Sequence, residues 1–292
     1  MDYSQVLYLR IGQLIDFMER SFVLLLEIVM NTGKRLTNKV AIVTGGASGI
    51  GAETVRTFAA HGAIVVAADV QNELGEQLVN EVNEAGGKAI YRNLDVTDEA
   101  AWKELVDETV STFEKLNILG NIAGVSGRDP DMKIQTTVTP GPTIESTSSD
   151  VWNRIMDVNV KGVYLGTKLC IPAMRAAGGG SIINISSDLG IMAPDQRLYS
   201  QKGLPEAEQQ VKPVTYSVVK SGLIGLTRYL STYWADRNVR CNALCPGGVN
   251  NGQTTEFLEE IHRRIPMNRL AKADEYQGTL IWMLSNGATY LN

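Results

Sequence analysis

Tyr216 and Lys220 stand four apart in Tyr-Ser-Val-Val-Lys, a spacing that puts a phenol and an ammonium on one helix face. A phenol is a poor acid–base group at pH 7 because its free pKa is about 10. A neighbouring cation favours the phenolate, so Lys220 is expected to bring Tyr216 toward a useful pKa. Far upstream the chain reads Thr44-Gly45-Gly46-Ala47-Ser48-Gly49-Ile50-Gly51, directly after the apolar run Val40-Ala41-Ile42-Val43. Strand, tight glycine turn and helix N-terminus follow in the order that aims backbone N–H groups at a pyrophosphate. Each motif alone has a plain reading, as a tight connection or as a chance pair on an amphipathic helix. Their order carries the inference, because the Tyr/Lys helix follows a strand ending in Ser186-Ser187. Together these residues point to nicotinamide-dependent oxidation and reduction.

The elements that must position them alternate from Lys39 onward. Strands are expected over 40–43, 63–68, 89–94, 116–122, 181–186 and 239–244. Helices are expected over 52–61, 73–84, 99–113, 149–176 and 215–236. Short apolar strands alternating with helices imply βαβ units, hence an α/β doubly wound parallel sheet (Rossmann-like) covered on both faces. No repeat or low-complexity linker divides the chain, so 31–292 reads as a single domain. Ligands of such sheets sit at the carboxyl ends of the strands. Asp69 ends the second strand, where an acid can accept the ribose hydroxyls of adenosine and repel a 2′-phosphate. Val70-Gln71-Asn72 supply no compensating cation, so NAD is the expected cofactor; the alternative for Asp69 is a helix cap.

Bulk properties fit this reading. The 292 residues are 44% hydrophobic and 20% charged, and the net charge of −5 leaves no basic footprint for nucleic acid. Cys170, Cys241 and Cys245 form no paired framework and read as reduced thiols of a cytoplasmic protein. His61 and His262 are too few and too scattered for a histidine-based metal site, and no metal is expected. Residues 1–30 form an apolar extension interrupted by Glu19, Arg20 and Glu27, too broken for a membrane span or a signal peptide. It reads as an extension ahead of a natural start at Met30, or alternatively as a functional helix.

These motifs resemble the short-chain dehydrogenase/reductase family, in its single-domain Tyr-x-x-x-Lys branch, over about Lys39 to Asn292. Thr44-Gly45-x-x-x-Gly49-Ile50-Gly51 is similar to the family's cofactor turn, and the resemblance implies that Gly45, Ser48, Gly49, Ile50 and Gly51 cradle NAD. Leu94-Asp95-Val96-Thr97 is similar to the segment that meets adenine, through Asp95 and Val96. Asn121-Ile122-Ala123-Gly124 resembles the family's Asn-Asn-Ala-Gly, with Ile122 a departure; Asn121, Ala123 and Gly124 are thereby expected at the cofactor. Pro246-Gly247, with Val249 beyond, matches the turn beside the nicotinamide. The resemblance also implies roles. Tyr216 would be the general acid–base, and Lys220 would bond the nicotinamide ribose. Ser187, or alternatively Ser186, would orient the substrate oxygen, and Asn159 would hold a water linking Lys220 to solvent.

Three departures bear on substrate and assembly. Ser187 and Tyr216 are separated by an insert over 188–213 that is much longer than the family's usual connection. Anchored at both catalytic ends, it is expected to act as a substrate wall or lid, with Arg197, Tyr199 and Lys202 as ligand contacts. A second insert near 125–147 carries Arg128, Asp129, Asp131, Lys133 and Pro140-Gly141-Pro142. The sequence stops at Asn292, where the family continues into a last strand, and an absent edge strand is expected to expose sheet backbone and weaken a homo-oligomer. The expected substrate is a secondary alcohol or ketone, sugar-derived or polyhydroxylated. The alternatives are a cyclic or steroid-like alcohol, or a non-catalytic NAD-binding role.

Overall fold

The structure, a computed structural model, describes residues 33–126, 143–200, 203–205 and 209–292. The 1–30 extension, Lys202 and the charged and proline residues named in the 125–147 insert lie outside them.

The six apolar runs form six parallel strands in one sheet. They are β1 (Val40–Thr44), β2 (Ile64–Asp69), β3 (Lys88–Asn93), β4 (Ile118–Asn121), β5 (Gly180–Ile185) and β6 (Val239–Leu244), in the order β3-β2-β1-β4-β5-β6. Every pairing is parallel, from Val40 opposite Ile64 to Ile185 opposite Leu244. Side chains alternate across each strand, which divides the core into two layers. Ala41 and Val43 pack with Val55, Phe58, Leu78 and Leu280 from α1 (Gly49–Ala60), α2 (Asn72–Glu84) and the last helix, Gln277–Leu284. Ile42, between them, packs on the other side with Trp102, Leu165, Met174 and Leu230 from α3 (Glu99–Phe113), Gly162–Ala176 and Val214–Tyr233. Each such fully buried large side chain contributes about 1.5–3 kcal/mol relative to an exposed one.

Strand order reverses between β1 and β4, which opens a crevice at their carboxyl ends. The glycine turn after β1 lies at this point.

Two expectations change in detail. The long helix over 149–176 is divided into α4 (Ser149–Met156), a π-helical segment (Asp157–Lys161) and α5 (Gly162–Ala176). The widened turn falls around Asn159, and such π segments recur at functional sites. The helix over 215–236 is α6 (Val214–Tyr233); it is followed by a 3-10 turn, and Asn238 adopts the left-handed conformation at φ 58°.

β6 is the outer strand, yet its edge is not left bare. Cys241 donates its backbone N–H to Asn292 Oδ1 at 2.8 Å, and Arg240 and Asn242 bond the Leu291 carbonyl at 2.8 and 3.0 Å. One edge N–H, that of Cys241, is thereby satisfied, and the side chains of Arg240 and Asn242 tie the chain end alongside β6. α7 (Thr255–His262) and α8 (Gln277–Leu284) follow β6.

Candidate active site

The crevice begins with a turn that side chains would fill. Gly45 has φ +64°, and a Cβ there would stand 2.8 Å from the backbone of Ala123. A Cβ on Gly51 would overlap the Gly45 carbonyl at 1.9 Å, so α1 approaches the turn closely because residue 51 is glycine. At Gly49 (φ +53°) a Cβ would meet nothing within 4 Å, so that side of the turn opens outward. Ser48 is the N-cap of α1 but makes no side-chain cap bond, leaving the helix N–H groups for a ligand. Ile50 takes part through its carbonyl, which accepts Thr54 Oγ1 at 2.7 Å. Thr44, absent from the expected site, joins the two halves: its hydroxyl accepts the N–H groups of Ile122 and Ala123 at 3.1 and 3.2 Å. A narrow cradle of backbone donors at a strand–helix junction fits a dinucleotide pyrophosphate.

Asp69 is buried at the end of β2 and accepts Ala47 N–H at 3.0 Å and Gln71 N–H at 3.1 Å. Two backbone donors hold its carboxylate, one from the glycine turn and one from Gln71 at the start of α2, which suits ribose recognition and leaves the capping alternative beside it. Asp95 is exposed and ties down Thr97 through its N–H (2.9 Å) and hydroxyl (2.8 Å), while Val96 is buried and accepts Trp102 Nε1 at 3.0 Å. These bonds fix the segment expected beside adenine. Asn121 requires correction. Its side chain turns into the sheet and donates to Asn184 Oδ1 at 2.9 Å, so it braces β4 against β5 instead of presenting an amide to the cleft. Ala123 and the exposed Gly124 follow it at the crevice.

The catalytic candidates converge on the ends of β5 and α6. Tyr216 lies in the first turn of α6 and Lys220 one turn later. The tandem serines separate clearly. Ser186 Oγ donates to the Lys220 carbonyl at 2.7 Å, whereas Ser187 is the serine near enough to the Tyr216 phenol to lower its pKa. Ser187 also donates to Asp188 Oδ1 at 2.8 Å, a carboxylate that sequence reading did not single out. Asp188 N–H in turn donates to the Pro246 carbonyl at 2.9 Å, and Gly247 lies beside Asp188 and Tyr276. Val249 bridges to Ala271 and accepts Gln253 Nε2 at 2.8 Å, so it closes the turn through its backbone.

The electrostatics overturn one expectation. Burial pushes the Tyr216 phenol up and Asp188 adds to that, against a lowering by Ser187. Lys220 is not among the groups that shift it. Lys220 is buried, donates to the Ile185 carbonyl at 2.8 Å and lies 5.7 Å from the Tyr216 ring centroid. Burial first, then the Lys212 ammonium, lower its own pKa to about 8, with Cys245 opposing. Asn159 also differs from expectation. Its Nδ2 donates to the carbonyls of Val125 and Ile155, both at 3.0 Å, and its Oδ1 accepts Val125 N–H at 3.2 Å. Both amide hydrogens are committed to backbone, so it clamps the π segment to the post-β4 turn and has only an oxygen lone pair for water.

The insert folds back over this corner. Arg197 is 84% exposed on its side chain and held by Asp195 at 2.8 Å, not aimed at a ligand. Tyr199 packs on Phe257 of α7 at 5.7 Å between centroids, and Arg264 reaches Asp195 at 3.5 Å. Of the two expected ligand contacts, Tyr199 is thus engaged with α7 and Arg197 with Asp195 of the insert itself. Among the described residues no His/Cys/Asp/Glu group could hold a metal, and no helix is long and apolar enough to cross a membrane.

A family profile described as Enoyl-(Acyl carrier protein) reductase matches residues 45–292. The 2,5-dichloro-2,5-cyclohexadiene-1,4-diol dehydrogenase LinX of Sphingobium indicum is 33% identical over 261 residues, which is 88% of this chain and 93% of the relative. The cyclohexanol dehydrogenase of an Acinetobacter species is 30% identical over 258 residues, covering 88% and 92%. A solved structure from Beutenbergia cavernae, described as a candidate NAD(P)-dependent gluconate 5-dehydrogenase with NADP at low occupancy, superposes with TM-score 0.73 and 26% identity, covering 89% and 94%. The chain belongs to the short-chain dehydrogenase/reductase family. It is an oxidoreductase that uses a nicotinamide cofactor and acts on the CH–OH group of a secondary alcohol.

Proposed function

We propose that this chain is an NAD-dependent dehydrogenase of a cyclic secondary alcohol, with Tyr216 as the proton-transfer residue. The observation that carries the reading is the meeting of Tyr216 with Ser187 where α6 begins and β5 ends, one helical turn from Lys220, whose ammonium lies 5.7 Å from the Tyr216 ring centroid. Hydride chemistry is supplied by the nicotinamide when bound. The chain's residues do the rest. Ser187 and Tyr216 hold the substrate oxygen, Tyr216 takes its proton during oxidation and returns it during reduction, and Lys220 provides charge beneath the phenol. Gly45, Ser48, Gly49, Ile50 and Gly51 hold the pyrophosphate, and Asp95, Val96, Gly124, Pro246, Gly247 and Val249 shape the remaining cofactor contacts. Asp69, held by two backbone donors with no cation at 70–72, supports NAD over NADP.

The substrate class shifts from the sugar-derived expectation to the cyclic alternative. Two relatives bear names of cyclic alcohol dehydrogenases. The insert also presents apolar side chains, Ile191 and Met192, at 73% and 61% exposure four and five residues from Ser187, while Arg197 is occupied by Asp195. Such a wall suits a carbocycle better than a polyol. Two stacked and exposed tyrosines on α6, Tyr229 and Tyr233, support association of copies, and three free thiols support a reducing, cytoplasmic setting.

The test is initial-rate formation of reduced cofactor from NAD and from NADP across cyclohexanol, cyclopentanol, hydroxysteroids, gluconate and linear polyols. Highest kcat/KM for a ring alcohol with NAD is expected. Preference for gluconate or polyols, or for NADP, overturns the substrate or cofactor assignment respectively.

A further inference from the structure

Lys212 stands four residues before Tyr216, as Lys220 stands four after, but it lies outside α6, whose N-cap is Pro213. Helical periodicity therefore does not place it. A side chain from elsewhere in the insert does. Gln196 Oε1 accepts the Lys212 N–H at 2.8 Å, and Gln196 Nε2 donates to the Lys212 carbonyl at 3.2 Å. A primary amide paired in this way with both polar groups of one residue fixes the orientation of that residue. The consequence is that Lys212 Nζ lies 3.8 Å from the centroid of the Tyr216 ring, nearer than Lys220 Nζ at 5.7 Å. A cation at that distance over a phenol face is attracted to the ring, and more so to its anion.

We propose that Lys212 is a positioning residue for Tyr216: clamped by Gln196, its ammonium lies against the phenol and favours the ionised form, so that the 188–213 insert tunes the pH range in which Tyr216 accepts a proton. This rests on the reading of Tyr216 as the proton-transfer residue. Among the described residues, the other groups that face the phenol are these. Asp188, from the turn after β5, opposes ionisation; Ser187 favours it; Lys220 stands behind the ring and Cys245, after β6, faces Lys220. Asp150, Arg154, Asp157 and Lys161, on the packed α4 and π segments, are exposed. Lys212 is also felt by Lys220, whose proton affinity it lowers second only to burial.

The decisive experiment reads the phenol directly. The ten tyrosines contribute to one absorbance band, but the tyrosinate absorbance of wild type minus that of Tyr216→Phe isolates one. In the cofactor-free protein, Lys212→Met is expected to move that titration upward by about one pH unit. Lys212→Arg, which keeps the charge, should leave it nearly in place. Gln196→Ala keeps the charge but releases the clamp, and should move it in the same direction by less; it also serves should Lys212→Met fail to fold. The acidic limb of kcat should shift with the absorbance while the NAD dissociation constant stays constant. An unshifted Tyr216 titration in Lys212→Met, or an equal shift in Lys212→Arg, overturns the proposal. Because the absorbance needs no turnover, the two readings fail separately. A shifted phenol in a protein that oxidises no alcohol keeps this proposal and sinks the proposed function, and an active enzyme with unshifted variants does the reverse.

Discussion

Asp69 accepts the backbone N–H of Ala47 at 3.0 Å, so the acid that ends β2 is fastened to the glycine turn that follows β1. The carboxylate is thereby fixed where a ribose would lie, and its charge cannot swing away from a 2′-phosphate. NAD should bind at least tenfold more tightly than NADP, a difference of about 1.4 kcal/mol. Asp69→Asn, which keeps shape and removes charge, should narrow the gap mainly by improving NADP. Dissociation constants from cofactor fluorescence quenching decide this, and equal affinities in the wild type contradict it.

Lys220 makes a second prediction, in which function and stability part. Its pKa, lowered from 10.5 to about 8, means that the folded state binds this proton less well than the unfolded state does. Below pH 8 both states are protonated, and the cost of burying the ammonium is carried in full, on the order of a few kcal/mol. Between about 8 and 10.5 the unfolded state alone keeps the proton, so this contribution to stability rises with pH; above that range the cost is gone. Lys220→Met should therefore lose turnover, yet melt no lower than wild type at pH 7 without cofactor. Its relative advantage should fade by pH 10.5. Thermal melts at the two pH values test this, and equal destabilisation at both rejects it.

The insert is docked to α7 through Asp195 with Arg264 and Tyr199 with Phe257. Exposed pairs of this sort contribute about 0–1 kcal/mol, so Asp195→Ala should barely change the melting temperature. It frees the substrate wall, however, and should raise KM for a bulky alcohol about two- to fivefold with the NAD dissociation constant unchanged. Shortening 188–213 to a dozen residues should change substrate preference more strongly, again without touching NAD affinity. Loss of NAD binding in either variant assigns the insert to the cofactor site instead.

Much of this arrangement is legible in the sequence because it depends on local periodicity. Apolar runs locate β1 to β6, and the glycine spacing locates the turn whose crowding at Gly45 and Gly51 the coordinates display. What sequence does not disclose depends on tertiary direction. Asn121 belongs to a motif, but its side chain follows the pleat of β4 into the sheet and meets Asn184. The choice between Ser186 and Ser187 turns on which face of the strand end meets Tyr216. Arg197 reads as a ligand contact until Asp195, two residues away, takes both sides of its guanidinium. Lys212 acquires its place from Gln196, and no pattern of spacing links those two residues. The Tyr216 phenol is raised because burial, with Asp188, outweighs the lowering by Ser187, a balance that requires knowing how much of the ring is covered.

The central claim is that Tyr216 moves the proton, and Tyr216→Phe tests it most directly because the ring stays and the hydroxyl goes. General acid–base groups contribute about 100- to 10,000-fold. Steady-state rates with NAD and the preferred ring alcohol should fall by at least about a hundredfold, with the NAD dissociation constant within about twofold of wild type. A variant that keeps most of its turnover contradicts the account and leaves the chain as an NAD-binding protein whose chemistry lies elsewhere.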